Sequence, residues 1–178
     1  MRVALFGGSF DPPHVAHQMA SFWAVSTGQV DGVLWAPCRT HPFGKDLAPY
    51  EDRLQMCRLA AAGLAGAEVS TLDRDAAAEG RTLPALRHLI AQRKDDEVFL
   101  LVGADLLQER ARWHGADEIE RLARFLVVGR AGFGGTPELP AVSSSAIRAA
   151  LGRGEDVSAL LPQAVLAYVH ERGLYGTR

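Results

Sequence analysis

The sequence predicts an α/β protein of the Rossmann-like type, with an open, mostly parallel sheet and helices on both faces of the sheet. Two continuous apolar runs, VFLLVG at residues 98–103 and FLVVG at residues 125–129, are typical of strands that are buried on both sides. Longer stretches with helical periodicity separate the apolar runs. Strands that alternate with helices predict βαβ units, whose strands are parallel because each crossover helix returns the chain to the same end of the sheet.

The predicted elements follow one another in a regular order. Short apolar runs that indicate strands lie at residues 2–6, 30–36, 68–72, 98–103 and 125–129. Stretches with helical periodicity lie at residues 13–26, 50–63, 83–92 and 162–172. In the second of these helices, Leu54, Cys57, Ala61 and Leu64 recur at the spacing of one helical face, which predicts that this face packs on the sheet.

Length and composition are those of a small globular protein. The 178 residues suffice for one hydrophobic core, and we expect a single domain over residues 1–178. The net charge of -2 argues against a protein that coats nucleic acid or a membrane. Cys38 and Cys57 show neither metal-ligand spacing nor a disulfide framework, and we find no signal peptide and no apolar run long enough to span a bilayer. These features favour a cytoplasmic protein and leave its oligomeric state open, a homo-oligomer included.

The stretch GGSFDPPHVAH at residues 7–17 follows the first predicted strand. In an open parallel sheet, ligands bind beyond the carboxyl ends of the strands, which is where this stretch would lie. Its glycines allow a ligand to approach the backbone closely, and Pro13 suits the first position of a helix, whose free amides favour an anion such as phosphate. His14 and His17 are three residues apart, so that both rings lie on one face of the first turn and can donate hydrogen bonds to phosphate oxygens.

Other interpretations of this stretch remain. A glycine-rich turn from strand to helix is a common connector, and two histidines three apart can also ligate a metal. No third ligand stands at a matching spacing, so we expect no metal site built from protein ligands. Neither GxGxxG nor GxxxxGK[ST] is present, which disfavours a dinucleotide-binding Rossmann site and a P-loop.

A second stretch, AVSSSAIR at residues 141–148, indicates another helix start suited to an anion. A serine at this place is a good N-cap, which accounts for one of the three hydroxyls. The other serines and Arg148 offer hydroxyls and a planar guanidinium, which donates two parallel hydrogen bonds to an oxyanion. Two such helix starts in one small α/β protein predict a polyphosphate substrate.

Together, GGSFDPPHVAH and SSSAIR resemble the two signature motifs of the nucleotidyltransferase superfamily. The similarity is closer to the bacterial nicotinate mononucleotide adenylyltransferases and runs nearly from end to end. It includes EDRLQMCRLA, TLPALRHL, VFLLVGADLL with Arg112-Trp113, and the C-terminal LPQAVLAYVHERGLY. The resemblance implies an enzyme that transfers AMP from ATP to nicotinate or nicotinamide mononucleotide.

The resemblance also implies roles for individual residues. His14, His17 and Arg148 would act on the phosphates during the reaction. The residues implied at the ATP site are Gly8, Ser9, Phe10, His17, Gly103, Asp105, Ser144, Ser145 and Arg148. Those implied at the mononucleotide site are Lys45, Thr82 and Trp113, with the tryptophan stacked on the pyridine ring. Mg²⁺ would arrive with ATP, without a cage of protein ligands.

The sequence departs from the family pattern at three places. Ala16 replaces the usual glycine between the histidines, and HPFGK at residues 41–45 replaces a Pro-Pro-His-Lys loop, which leaves the role of His41 open. Arg81 stands before Thr82, where an aromatic residue is common. A guanidinium there would favour the carboxylate of nicotinate mononucleotide, but the sequence leaves the choice between nicotinate and nicotinamide open.

Two other function classes fit the same residues. One is another small-molecule transferase, such as phosphopantetheine adenylyltransferase or a cytidylyltransferase, which the GAD stretch, Trp113 and the C-terminal stretch disfavour. The other is a non-catalytic nucleotide-binding module, which the intact histidines, serines and Arg148 disfavour. In the favoured reaction, the mononucleotide phosphate attacks the α-phosphorus of ATP in line. The second pKa of a phosphate monoester is about 6, so this nucleophile needs no general base at neutral pH.

Overall fold

A sheet of six parallel strands forms the centre of the computed structural model, which describes residues 1–41 and 44–177. The strands are β1 (Arg2–Gly8), β2 (Gly32–Pro37), β3 (Ala67–Val69), β4 (Glu97–Gly103), β5 (Arg124–Arg130) and β6 (Glu138–Leu139). Their order across the sheet is β3-β2-β1-β4-β5-β6, and each neighbouring pair is parallel. The α/β fold class is thereby confirmed, with a sheet that is wholly parallel.

Helices connect the strands and cover the sheet. They are α1 (Val15–Ser26), α2 (Tyr50–Ala61), α3 (Leu72–Asp75), α4 (Thr82–Gln92), α5 (Ala104–Gln108), α6 (Ala116–Leu122), α7 (Ser144–Gly152) and α8 (Gln163–Glu171). Short 3₁₀ turns lie at Arg110–Arg112 and Leu174–Gly176. Among the described residues, no helix has both the length and the apolar character needed to cross a membrane.

Two hydrophobic cores lie on opposite faces of the sheet. Successive residues of a strand point to opposite faces, so Ala4 and Phe6 of β1 enter one core while Val3 and Leu5 enter the other. The first core contains buried side chains from α1, α2, α7 and α8, and the second contains side chains from α3, α4 and α6. Helices on both faces are what the alternating pattern predicted.

Several predicted boundaries need correction. The helix predicted from Pro13 begins at Val15, because the backbone of His14 is extended (φ -140°, ψ 174°) and makes this residue the N-cap. The strand predicted at residues 68–72 ends at Val69, and Leu72 begins α3 instead. The sequence did not predict α3, α5, α6 or β6. These elements are short, between two and seven residues, and show too little periodicity to be detected.

The strand order reverses direction between β1 and β4. From β1 the chain builds outward through β2 to β3, and it then crosses back to place β4 on the other side of β1. In such sheets the loops that leave the two central strands diverge, which opens a crevice at their carboxyl ends. Gly8 at the end of β1 and Gly103 at the end of β4 lie at this crevice.

Candidate active site

The loop that leaves β1 is held from beneath by aromatic packing. Phe10 adopts a left-handed backbone conformation (φ 48°), which is rare for a bulky residue, and its side chain is buried. Its ring stacks on that of Trp35, with centroids 5.2 Å apart, and lies 4.8 Å from the ring of His17. The phenylalanine of this loop is therefore part of the core, and it supports the histidine from below.

His14 and His17 pack against each other at the start of α1. Their ring centroids are 3.8 Å apart, and the backbone N–H of His14 donates to Nδ1 of His17 at 3.1 Å. Because Nδ1 accepts this hydrogen bond, the neutral ring of His17 carries its proton on Nε2, which leaves Nε2–H available as a donor. Nδ1 of His14 is buried and finds no hydrogen-bond partner in the part of the chain that the structure describes.

Both histidines are neutral near pH 7. Burial and the positive charge of Arg130 lower the pKa of His14 to about 4. Burial, the neighbouring His14 and Arg130 hold the pKa of His17 well below its ordinary value. The rings thus offer N–H and lone-pair groups, whereas the fixed positive charge near them comes from arginine.

The start of α7 closes over the same loop. Ser143 caps the helix by accepting from the N–H of Ala146, which is the structural role foreseen for one serine. The hydroxyl of Ser144 donates to the carbonyl oxygen of Pro12 at 2.9 Å. Nη1 of Arg148 donates to the carbonyl oxygen of Asp11 at 2.6 Å. The two motifs found in the sequence therefore meet across more than 130 residues of chain.

Arg130, which the sequence did not single out, lies between these motifs and the end of β4. Its Nη1 donates to Oδ2 of Asp105 at 2.6 Å, and its Nη2 donates to the carbonyl oxygen of Val142 at 2.7 Å. A side chain at position 103 would collide with Oδ1 of Asp105, so glycine there leaves room for the carboxylate. Oδ1 is buried and has no hydrogen-bond partner among the described residues. The name histidine cluster is used below for Asp11, His14, His17, Arg130 and Arg148.

A fully buried arginine ties together the loops around the crevice. Arg53 of α2 is 1% exposed. Its guanidinium donates to four backbone carbonyl oxygens at 2.7–3.0 Å, those of Ser9, Cys38, Arg39 and Ala48. These carbonyls belong to the segments that follow β1 and β2 and precede α2. Arg53 thus sets the spacing of these segments without facing a ligand.

A cavity of about 420 Å³ opens beside the loop that leaves β1. Its lining includes Gly8 and Ser9 of that loop together with the three residues that were implied at the mononucleotide site, Lys45, Thr82 and Trp113. The ring of Trp113 is backed by Phe125 of β5, at 6.2 Å between centroids. Pro42 and Phe43 of the HPFGK stretch lie outside the described residues.

Cationic side chains outnumber acidic ones around this cavity. Lys45, Arg81 and Arg112 line it, and so does His41, whose pKa is lowered by burial and by the nearby cations Lys45 and Arg53. Asp73 also lines it, but both carboxylate oxygens accept backbone N–H groups, those of Arg39 at 2.8 Å and Gly80 at 2.9 Å. The cavity is therefore suited to an anionic ligand with an aromatic part.

The structure brings the predicted residues together in two adjoining groups. Gly8, Ser9, Lys45, Thr82 and Trp113 surround the cavity. The histidines, Ser144, Ser145 and Arg148 gather around residues 10–14, where Nη2 of Arg148 lies 3.4 Å from the hydroxyl of Ser145. Gly103 and Asp105 join the second group through Arg130. Within the described residues, no three His, Cys, Asp or Glu side chains are placed to hold a metal ion.

Comparisons with known proteins identify the family of this chain. The cytidylyltransferase-like family matches residues 5–150. A curated protein of Anaeromyxobacter dehalogenans (strain 2CP-1), named "Probable nicotinate-nucleotide adenylyltransferase", is 53% identical over 97% of this chain and 96% of its own length. The chain belongs to the nicotinate-nucleotide adenylyltransferase family.

Another family member and a solved structure extend the likeness. The Myxococcus xanthus protein of the same name is 39% identical over 100% of this chain and 96% of its own length. The structure of Plasmodium falciparum nicotinic acid mononucleotide adenylyltransferase complexed with NaAD has a TM-score of 0.84 and covers 99% of this chain and 98% of its own. At 17% identity this structure supports the fold alone.

Proposed function

We propose that the protein transfers AMP from ATP to nicotinate mononucleotide, forming the dinucleotide and pyrophosphate. The main support for the proposal is the contact between the motif at residues 7–17 and the motif at residues 141–148. There Arg148 donates a hydrogen bond to the carbonyl oxygen of Asp11, and Ser144 donates one to the carbonyl oxygen of Pro12. This contact brings two anion-suited helix starts together, and the loop after β1 also lines a cationic cavity with a tryptophan in its lining. The names of the near-full-length relatives support the choice of acceptor.

In this reaction the mononucleotide phosphate attacks the α-phosphorus of ATP. A new P–O bond forms, the bond from the α-phosphorus to the oxygen that bridges to the β-phosphorus breaks, and pyrophosphate leaves. The attacking phosphate is mostly dianionic at neutral pH, so the protein need not remove a proton. Its task is to align two anions and to stabilise the charge that develops on the leaving group.

The histidine cluster supplies that stabilisation in our proposal. Nε2–H of His17 is the donor that the intramolecular bond at Nδ1 leaves available, and His14 stacks beside it. Arg148 and Arg130 contribute fixed positive charge. Donors held in place before the reaction stabilise developing charge without reorganising, and one such donor contributes about 3–4 kcal/mol to transition-state stabilisation.

The remaining residues are assigned to binding. We place the adenosine and triphosphate of ATP against the backbone of Gly8, Ser9 and Phe10. Gly103, Asp105, Ser144, Ser145 and the histidine cluster complete this site in our proposal. We place the pyridine ring on Trp113, its carboxylate near Thr82 and Arg81, and the mononucleotide phosphate near Lys45. The orphaned Oδ1 of Asp105 would then receive a hydrogen bond from the nucleotide.

Enzymes that transfer phosphoryl groups from ATP in general use a divalent cation that bridges phosphate oxygens. We propose Mg²⁺ for this role. The described residues offer no group of three ligands, so the ion would enter as part of the ATP complex and keep several of its waters.

We infer that residues 1–178 form one nucleotidyltransferase domain, with ATP and the mononucleotide as its partners. We also expect a cytoplasmic, reducing compartment. Cys38 and Cys57 are both unpaired and buried, which fits such a compartment.

One assay tests the function. Purified protein receives ATP and Mg²⁺ with nicotinate mononucleotide or nicotinamide mononucleotide in parallel, and both the dinucleotide and pyrophosphate are measured. We expect both products in a one-to-one ratio, with a higher kcat/KM for the nicotinate substrate. Parallel reactions contain phosphopantetheine as the acceptor, or CTP in place of ATP, and turnover only in these would assign the chain to another branch of the superfamily. ATP binding without turnover of any acceptor would favour a non-catalytic module.

A further inference from the structure

The C-terminal end of the described chain reaches the candidate active site through one tyrosine. The hydroxyl of Tyr175, in the last 3₁₀ turn, donates to Oδ1 of Asp11 at 2.7 Å. Asp11 belongs to the loop after β1 and is 1% exposed. A residue near the end of the described chain therefore contacts a buried carboxylate of the opening motif, 164 residues away.

Asp11 also contacts Arg148, through both its backbone carbonyl and its carboxylate. Nη1 of Arg148 donates to the backbone carbonyl of Asp11 at 2.6 Å and lies 3.4 Å from Oδ2 of its carboxylate. The other oxygen, Oδ1, receives the tyrosine hydroxyl and a longer bond of 3.2 Å from the N–H of Ala48. Tyr175 thus donates a hydrogen bond to one oxygen of the Asp11 carboxylate, while Arg148 contacts the other oxygen.

The backbone of Tyr175 has a conformation that favours glycine, although the side chain packs against the first core and reaches Asp11. It adopts a left-handed conformation (φ 57°, ψ 27°), as do the glycines on either side of it, Gly173 at φ 60° and Gly176 at φ 80°. Such a conformation is unfavourable for a bulky residue and costs nothing for glycine. Glycine would relieve the backbone at position 175 but would remove the hydroxyl.

The hydroxyl acts as a donor throughout the working pH range. Burial and the nearby carboxylate of Asp11 raise the pKa of Tyr175 above its ordinary value. If the donor were lost, Oδ1 would keep only the long bond from Ala48. A buried carboxylate with an unsatisfied oxygen is costly, and it draws the nearest cation toward itself.

We propose that Tyr175 is a positioning residue for the use of ATP, and that it acts through Asp11 on Arg148. With Oδ1 satisfied, Arg148 rests against the backbone of the loop and keeps its remaining N–H groups directed at the triphosphate. The inference rests on the proposed function, in which Arg148 belongs to the ATP site. The 3₁₀ turn Leu174–Gly176 thereby gains a role in ATP binding, although none of its residues lines the cavity.

The chain contains a matched control for this arrangement. On α8, the hydroxyl of Tyr168 donates to Oδ1 of Asp52 at 2.7 Å, and Nε of Arg172 donates to the same oxygen at 3.2 Å. This second set also joins a tyrosine, a buried aspartate and an arginine. It links α8 to α2, and none of its members lines the cavity or contacts the histidine cluster through a described hydrogen bond.

The test compares wild type, Tyr175→Phe and Tyr168→Phe. Both variants keep the ring and remove one hydroxyl that bonds to a buried aspartate. We expect Tyr175→Phe to lower kcat/KM for ATP about tenfold, the lower end for losing a bond to a charged group, and to change KM for the mononucleotide less than twofold. Tyr168→Phe should lower Tm to a similar extent and leave both kinetic parameters near those of wild type.

Calorimetric titration with ATP alone separates this inference from the proposed function. If wild type binds ATP but forms no dinucleotide, the proposed function fails, whereas weaker ATP binding by Tyr175→Phe still supports the positioning role. Equal ATP affinity and kcat/KM in wild type and Tyr175→Phe would overturn the role, as would equal kinetic losses in both variants. Should Tyr175→Phe not fold, Asp11→Asn carries the same expectation, and unchanged use of ATP by that variant would also overturn it.

Discussion

The histidine cluster and the cavity lie side by side but are built differently. In the cluster, almost every polar group is held by the fold itself: His17 by the backbone of His14, Arg148 by Asp11, and Arg130 by Asp105. Around the cavity, Lys45 and Arg81 are exposed, and Trp113 is only partly buried. In the proposed function, the cluster stabilises the transition state and is held in place before the substrate arrives, whereas the cavity binds the mononucleotide with side chains that can adjust to it. Changes in the cluster should therefore affect kcat, and changes in the cavity should affect KM.

The largest expected effect comes from His17→Ala. The substitution removes the Nε2–H donor proposed to stabilise the leaving pyrophosphate, so kcat should fall about a hundredfold or more. KM for either substrate should change much less. Steady-state kinetics of the purified variant measure both parameters. His88→Ala, a histidine of α4 that does not line the cavity, serves as the control. Near-normal turnover by His17→Ala would refute the role.

Trp113→Ala tests the cavity, where a substitution should change KM rather than kcat. Loss of the indole face should raise KM for nicotinate mononucleotide roughly tenfold, because ring stacking adds to the apolar area that the ligand buries. KM for ATP should stay within about twofold. Trp113→Phe, which keeps a ring, should recover much of the loss. Equal increases in both KM values would contradict stacking on the pyridine ring.

Arg81→Met tests whether the cavity distinguishes acid from amide. An exposed guanidinium interacts with a carboxylate by about 1 kcal/mol, so KM for nicotinate mononucleotide should rise about fivefold. KM for nicotinamide mononucleotide should hardly change, and the preference between the two substrates should narrow. Arg87→Met provides the control, because Arg87 lies on α4, the helix that begins directly after Arg81, pairs with Glu118 and does not line the cavity. An unchanged preference for nicotinate mononucleotide over nicotinamide mononucleotide would mean that groups other than Arg81 bind the carboxylate of the substrate.

The smallest effect concerns stability against pH. The pKa of His14 is about 4 in the folded protein against an ordinary value of 6.5, so the unfolded chain binds more protons between these values. Stability should therefore rise with pH through this interval and be lost as the pH falls from about 6.5 to 4. His14→Asn should remove part of this dependence, on the order of 1–3 kcal/mol at the acid end.

Thermal melts at a series of pH values measure this difference. The Tm of wild type should fall more steeply than that of His14→Asn between about pH 6.5 and pH 4.5. His88→Asn serves as the control and should follow the wild-type curve, since His88 is only partly buried whereas His14 is buried. Parallel curves for wild type and His14→Asn would show that His14 is not held neutral by the fold.

The sequence by itself determined the class of fold and predicted where the chemistry would lie. Apolar runs long enough for buried strands predicted β1, β2, β4 and β5, because burial on both faces demands continuous hydrophobicity. The opening motif and SSSAIR predicted two anion-suited helix starts, because their glycines, serines, histidines and arginine offer free amides, hydroxyls, ring N–H groups and a guanidinium to an anion. The helices α3, α5 and α6 stayed hidden because they are too short to repeat a pattern.

Only the tertiary structure decided which groups meet. Arg130 was one arginine among many in the sequence, and its place between Asp105 and the histidines depends on the pairing of β4 with β5. His14 and His17 are neutral because they are buried, and their burial could not be predicted from the sequence. The contacts from Arg148 and Tyr175 to Asp11 join the two ends of the chain. Local sequence specifies helices and strands, whereas contacts between distant residues arise only when packing brings them within hydrogen-bond distance.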